Sequence, residues 1–206
     1  MKKFILIILL MFCTIAISSQ RISTYDTILV ESCYKAFYSH KIQTSSFVIY
    51  KLYKGGGNVS RSNMNFKTKD NLPHFNYTKS GYDRGHLVPA EDFAYDKELM
   101  KSTFYYHNAI PQTIKLNRGN WKRFENAVRN VSLEDSLIIM CGGCDYNKKL
   151  IPKKCFKVVY SLRTRQLKYC ILINNDDKCN FILNKQSMVK RFTFNYIMNL
   201  FKKGNS

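Results

Sequence analysis

Ser80-Gly-Tyr-Asp-Arg-Gly-His-Leu87 and, further along, Leu116-Asn-Arg-Gly-Asn-Trp-Lys-Arg-Phe-Glu125 are the two stretches around which the chain is organised. The first reads as an extended segment, so Arg84 and His86 share one face, because strand side chains alternate with period two. Arg84 offers charge-assisted hydrogen bonds to a phosphate, Gly85 permits close backbone approach, and Asp83 anchors the local hairpin or orients a neighbour. His86 ordinarily titrates at about pH 6.5, so at neutral pH it accepts a proton from water. The second stretch reads as a helix in which Asn117, Trp121 and Glu125 recur every four residues, setting an amide and a carboxylate along one stripe. The Asn117 side-chain oxygen suits direct binding of Mg²⁺. Glu125 suits holding the ion's waters, since magnesium dehydrates reluctantly. A strand face and a helix face thus supply a phosphate-binding cation, a base for water and oxygen ligands for a hard metal.

Working outward, Ser46 to Tyr53 is rich in β-branched and aromatic residues and predicts a strand that breaks at Gly55-Gly56-Gly57, expected to be a mobile loop. Residues 61 to 76 are polar and turn-rich, with Pro73 setting a bend. Asp96 to Ser102 predicts a short helix, 103 to 110 an extended run, and Lys115 to about Val131 a helix whose first turn is weakened by Gly119. Ser136 to Met140 is a short apolar run of buried-strand type. Cys155 to Leu162 and Gln166 to Ile173 flank the turn at 163–165 and predict a hairpin, and Lys185 to Lys203 predicts a basic C-terminal helix. No internal repeat is present. This order predicts a single α+β domain over 45–203 rather than repeated βαβ units. Residues 20–44 have few patterned apolar positions and are expected to wrap the domain surface.

Residues 1–19 read as a signal peptide: Lys2 and Lys3, then an apolar run from Phe4 to Ile17, then the small residues Ser18 and Ser19. That run is shorter than the roughly 20 residues of a membrane span. The expectation is export, secreted or periplasmic, with no stable membrane insertion after cleavage. The chain carries 33 Lys and Arg against 14 Asp and Glu, a net charge of +19. Such an excess favours polyanions without indicating sequence specificity. Cys33, Cys141, Cys144, Cys155, Cys170 and Cys179 remain after the leader, and an even number in an exported chain predicts disulfides. Cys141-Gly-Gly-Cys144 has the spacing of half a zinc site, but no second CxxC or HxxxH follows.

Ser80-Gly-Tyr-Asp-Arg-Gly-His-Leu-Val-Pro-Ala-Glu-Asp92, then Asn108-Ala-Ile-Pro-Gln112, then Asn117-Arg-Gly-Asn-Trp121 with Glu125, closely resemble the DNA/RNA non-specific endonucleases. That family includes secreted bacterial sugar-non-specific nucleases and mitochondrial endonuclease G. The resemblance is strong from Ser80 to Arg129 and weaker from about Phe47 to Phe201. It implies a ββα-metal fold, in which a mainly antiparallel central sheet is flanked by helices. It also implies a metal-dependent endonuclease acting on DNA and RNA, with Mg²⁺ as cofactor and Mn²⁺ as an alternative.

Residue by residue, His86 matches the general base, Asn117 the direct metal ligand, Glu125 the acidic residue at the metal's water shell, and Arg84 a phosphate-contacting arginine. Lys51, Arg61 and Arg118 are further candidates for substrate phosphates. Two departures stand out. His107 precedes Asn108 where the family usually has serine, and Lys190 and Arg191 lie in a helix where the family often carries an acidic residue. The rival reading is a basic nucleic-acid-binding protein on a nuclease scaffold with no turnover.

Overall fold

A computed structural model describes residues 22–181 and 186–204; the proposed signal peptide lies outside them. Among the described residues eight strands and five α-helices follow one another, with short 3-10 or π-type turns between some of them. Strands β1 (Thr27–Val30), β2 (Tyr34–Ser39), β3 (Thr44–Leu52), β6 (Leu137–Tyr146), β7 (Pro152–Ser161) and β8 (Leu167–Asn174) form one sheet. Its spatial order is β1-β2-β3-β6-β7-β8, and every neighbouring pair is antiparallel. Strands β4 (Tyr82–His86) and β5 (Ala109–Thr113) form a separate antiparallel ribbon. The helices are α1 (Lys97–Ser102), α2 (Ile114–Leu116), α3 (Lys122–Ser132), α4 (Gln186–Arg191) and α5 (Phe194–Lys202). The expected α+β architecture with a mainly antiparallel sheet is what the chain adopts.

Both faces of the sheet are apolar, which sets up three layers. On one face Val48, Tyr50, Ile139, Cys141, Val159 and Ile171 pack against Ile110 of the ribbon, Leu87 just after β4, Leu116 of α2, Trp121 just before α3 and Val128 within it. On the other, Phe47, Ile49, Met140, Phe156, Val158 and Leu172 pack against Ile197 and Leu200 of α5 and Phe192 just before it. Adjacent residues of one strand therefore belong to different cores. The ribbon and α3 occupy one side, and the basic helices with Lys190 and Arg191 the other.

Four expectations need correction. Residues 27–39 do not wrap the surface: β1 and β2 extend the main sheet, and every residue of β2 is buried. The C-terminal helix is two helices, broken where Thr193 caps α5 by accepting from the Tyr196 amide at 3.3 Å. Among the described residues the six cysteines form no disulfide. Cys141 and Cys144 lie on opposite faces of β6, so they belong to different cores and can neither bond nor share a zinc ion. The glycine loop is tied down: Gly55 N–H donates to Ser132 Oγ at 3.1 Å and Gly56 N–H to the Asp92 carbonyl at 3.3 Å.

Gly57 closes this loop at φ 129°, and a Cβ there would run into the Ala94 carbonyl. Both features demand glycine. Gly57→Ala is expected to cost about 1–3 kcal/mol, read as a lower denaturant midpoint. An unchanged midpoint would show that the loop relaxes freely.

Candidate active site

The ribbon, the 61–66 loop and the helical segment from Asn117 to Arg129 enclose a cleft of about 900 Å³. Its walls include Arg61, Arg84, His86, Asn117, Arg118 and Glu125. Lys51 is not among them. In β3 it alternates with Tyr50 and Leu52, so it faces the other side of the sheet, where its Nζ lies 5.0 Å from the Phe201 ring centroid of α5.

Register explains the ribbon's contribution. Arg84 pairs with Pro111, Gly85 with Ile110 and His86 with Ala109. A Cβ at Gly85 would strike the fully buried Gln112 side chain, so the glycine lets that amide pack beneath β4. Asn108 locks the exit of β4: its Oδ1 accepts from the Val88 amide at 2.9 Å, and its Nδ2 donates to the Val88 and Thr103 carbonyls at 3.0 and 2.9 Å.

His86 is flanked by Phe66 and Phe104, with ring centroids 4.7 and 5.0 Å away. Its Nε2 is enclosed and has no hydrogen-bond partner, which leaves Nδ1 as the ring nitrogen that solvent reaches. Burial, with Arg61's charge adding, holds its pKa down at about 3, so the imidazole is neutral in the physiological range. Arg84 rests over aromatic rings, 5.4 Å from Tyr77 and 6.0 Å from Tyr106, with His74 stacked on Tyr106 at 3.8 Å. These rings brace the guanidinium at the cleft.

Asp83 connects the two halves. It accepts from Asn117 Nδ2 at 2.9 Å and from Arg118 Nε and Nη2 at 2.8 Å each. The Arg118 hydrogen bonds hold the Asp83 carboxyl below its ordinary range, against burial and with help from Asn117. Arg118 is thereby committed to Asp83 and serves first to fix it. With its nitrogen engaged, the Asn117 amide keeps Oδ1 unpaired. The helix itself is interrupted: residues 117–121 form a wide π-type turn and Gly119 leaves helical geometry at φ −105°, ψ −109°. Such insertions in a helix recur at functional sites.

Glu125 sits above the sheet beside Lys157, whose Nζ is 3.8 Å from Oε1 and 5.0 Å from the Trp121 ring centroid. Burial raises Glu125 to about 7, opposed by Lys157 and Arg129 and reinforced by Asp92. Behind it Asp92, almost fully buried, accepts from Tyr50 Oη at 3.1 Å and Arg129 Nε at 3.0 Å. Asp92, Arg129 and Lys157 are site-supporting residues that the sequence reading did not single out. Asp92 and Arg129 were visible only as the ends of the quoted motifs, and Lys157 as a lone lysine inside an apolar strand.

The donor set suits a hard cation. Asn117 Oδ1 and the Glu125 carboxylate are oxygens, and the described residues hold no cluster of three or more His, Cys, Asp or Glu side chains. Sparse oxygen ligation with retained waters is magnesium's preference.

The profile of the DNA/RNA non-specific endonuclease family matches residues 14–197. The chain belongs to that family of metal-dependent nucleases. A nuclease from Nostoc sp. is 31% identical over 150 residues, which cover 66% of this chain and 54% of the relative. The mitochondrial nuclease EXOG of Xenopus laevis is 35% identical over 82 residues, covering 37% of this chain and 23% of the relative. The matches thus span about a quarter to a half of these relatives. A crystal structure of the EndoG/EndoGI complex superposes with a TM-score of 0.67 at 20% identity, covering 83% of this chain and 86% of that one. It establishes the shared ββα-metal fold.

The family departure at His107 has a structural counterpart outside the cleft. The imidazole is buried, with Nε2 3.0 Å from Tyr34 Oη and 3.3 Å from Glu31 Oε1, and it stacks on Tyr105. It braces β2 against the segment leading into β5, which accounts for histidine there without a catalytic role.

Proposed function

We propose that this protein is an exported endonuclease that hydrolyses phosphodiester bonds of DNA and RNA with little sequence specificity. The observation that carries this reading is that one cleft is lined by His86 and Arg84 from a strand and by Asn117 and Glu125 from a helical segment. His86 takes the proton of a water molecule at Nδ1 while its own proton stays on the enclosed Nε2. Arg84 and Arg61 bind phosphate oxygens, and contacts to the backbone alone carry no sequence information. Asn117 would hold Mg²⁺, or Mn²⁺, through Oδ1, and Glu125 would orient the ion's waters. When bound there, the metal supplies polarisation of the phosphate and stabilisation of the leaving oxygen.

Export rests on the signal peptide read at 1–19; among the described residues no helix is long and apolar enough to cross a membrane. The test is a cleavage assay on plasmid DNA and on RNA with Mg²⁺, then with chelator, then with Mg²⁺ restored. Cleavage of both polymers that disappears on chelation and returns with metal is expected. Tight, salt-sensitive binding without cleavage in Mg²⁺, Mn²⁺ or Ca²⁺ would favour a binding protein instead.

A further inference from the structure

A second cavity, of about 650 Å³, adjoins the cleft and shares Met64, Asn65 and Phe104 with it as a common wall. Arg61 lines the cleft, and the residues on either side of it in the chain, Ser60 and Ser62, line the second cavity. Lys67, Lys97 and Lys101 line it too, and no carboxylate does. The lysines are available. Lys101 touches only Glu98, at 3.5 Å between exposed groups, a contact of little energetic weight, and Lys97 has no ion-pair partner among the described residues. Lys67 lies with Nζ 4.7 Å from the Tyr105 ring centroid and has no ion-pair partner among the described residues. Lys69, by contrast, is engaged with Glu31 at 2.8 Å and stands outside the cavity.

We propose that this cavity is a distal phosphate-binding subsite, which receives the stretch of polynucleotide that continues past Arg61 out of the catalytic cleft. The inference rests on the nuclease reading above. Three lysines and hydroxyl and amide donors, in a volume within the range of ligand sites, match a chain of phosphates. Continuity with the cleft distinguishes a polymer from a free anion, because a strand whose scissile phosphate lies between Arg84 and Asn117 has to leave the cleft past one of its ends. Lys97 and Lys101 touch neither His86 nor Asn117, so the subsite sets the grip on long substrates and leaves the chemical step alone.

The experiment compares wild type with the double variant Lys97→Gln/Lys101→Gln and with a charge-matched control, Lys148→Gln/Lys149→Gln. The control lysines are exposed and lie outside both cavities. Binding of a fluorescent DNA oligonucleotide is measured without metal over a range of salt. Cleavage of plasmid DNA and of bis(4-nitrophenyl) phosphate, too short to leave the cleft, is measured with Mg²⁺. For Lys97→Gln/Lys101→Gln we expect about tenfold weaker oligonucleotide binding and a salt slope shallower by about two. KM for plasmid should rise by a similar factor, with kcat and the rate on the small ester unchanged.

Unchanged binding and slope would overturn the proposal, as would an equal change in the control, which would make the effect one of net charge. Because the binding arm needs no turnover, failure of wild type to cleave either substrate would count against the nuclease reading and still leave the subsite decided by binding.

Discussion

His86→Ala should leave a folded protein whose Mg²⁺-dependent cleavage of plasmid DNA falls by about 10²–10⁴, the usual scale for losing a positioned general base. The loss is expected in kcat, with KM for DNA nearly unchanged, because Arg84 and Arg61 remain to hold phosphate. A second readout isolates the imidazole from any general effect on folding. In the folded protein His86 titrates at about 3, against 6.5 as its ordinary value. On acidification the unfolded chain therefore takes up its proton first, so the stability this residue gives at neutral pH drains away as pH falls from 6.5 towards 3. Metal-free wild type should accordingly lose more stability than His86→Ala across that interval, measured by denaturant unfolding at successive pH values. Activity reduced less than tenfold would place the base elsewhere. Parallel stability curves would mean that the imidazole is solvated rather than enclosed.

How much of this was legible in the sequence follows from what each element has to satisfy. β3, β6, β7 and β8 announce themselves as β-branched and aromatic runs because both faces of the central sheet are buried. β2 does not, since Lys35 and Ser39 interrupt it. Lys35 is nonetheless accommodated, its Nζ donating to the Lys203 carbonyl at 2.6 Å, a long-range contact with no local signature. The glycine loop looked mobile because composition alone cannot reveal the hydrogen bonds from Gly55 and Gly56 to partners distant in the chain. In the site, Arg84 with His86 and Asn117 with Glu125 were readable from period and residue chemistry. The Asp83 link between them is visible only as a carboxylate inside the first motif, and the π-type turn at 117–121 breaks the four-residue stripe that the helical period predicts. Lys51 failed for a reason of parity: one residue either side of it in β3 faces the cleft's side of the sheet, and it faces away.

Lys157→Met should destabilise the metal-free protein by about 3–5 kcal/mol above pH 8, the scale for breaking a buried ion pair, and by well under half of that at pH 5. Lys157 alternates with Phe156 and Val158 in β7 and is fully buried on the face that carries Trp121 and Glu125. Glu125 is faced by Lys157 and Arg129, which favour its charge, and by Asp92, which opposes it. Its folded value of about 7 lies above its ordinary 4.5, so the native state holds this proton the more tightly, and ionising the carboxyl costs stability as pH rises from 4.5 through 7. Removing the ammonium pushes Glu125 further up and extends that cost into the alkaline range. At pH 5 the carboxyl is already protonated in the folded wild type, so methionine then replaces a buried ammonium that has no ionised Glu125 beside it. Arg129 cannot substitute, because its Nε is committed to Asp92 at 3.0 Å. The same logic reaches function, since a protonated Glu125 is a poorer acceptor for a metal's waters and the variant's cleavage should recover as pH is raised. Denaturant midpoints at pH 5 and 8.5 decide the point, and an equal loss at both would reduce Lys157 to a filler of volume between the sheet and α3.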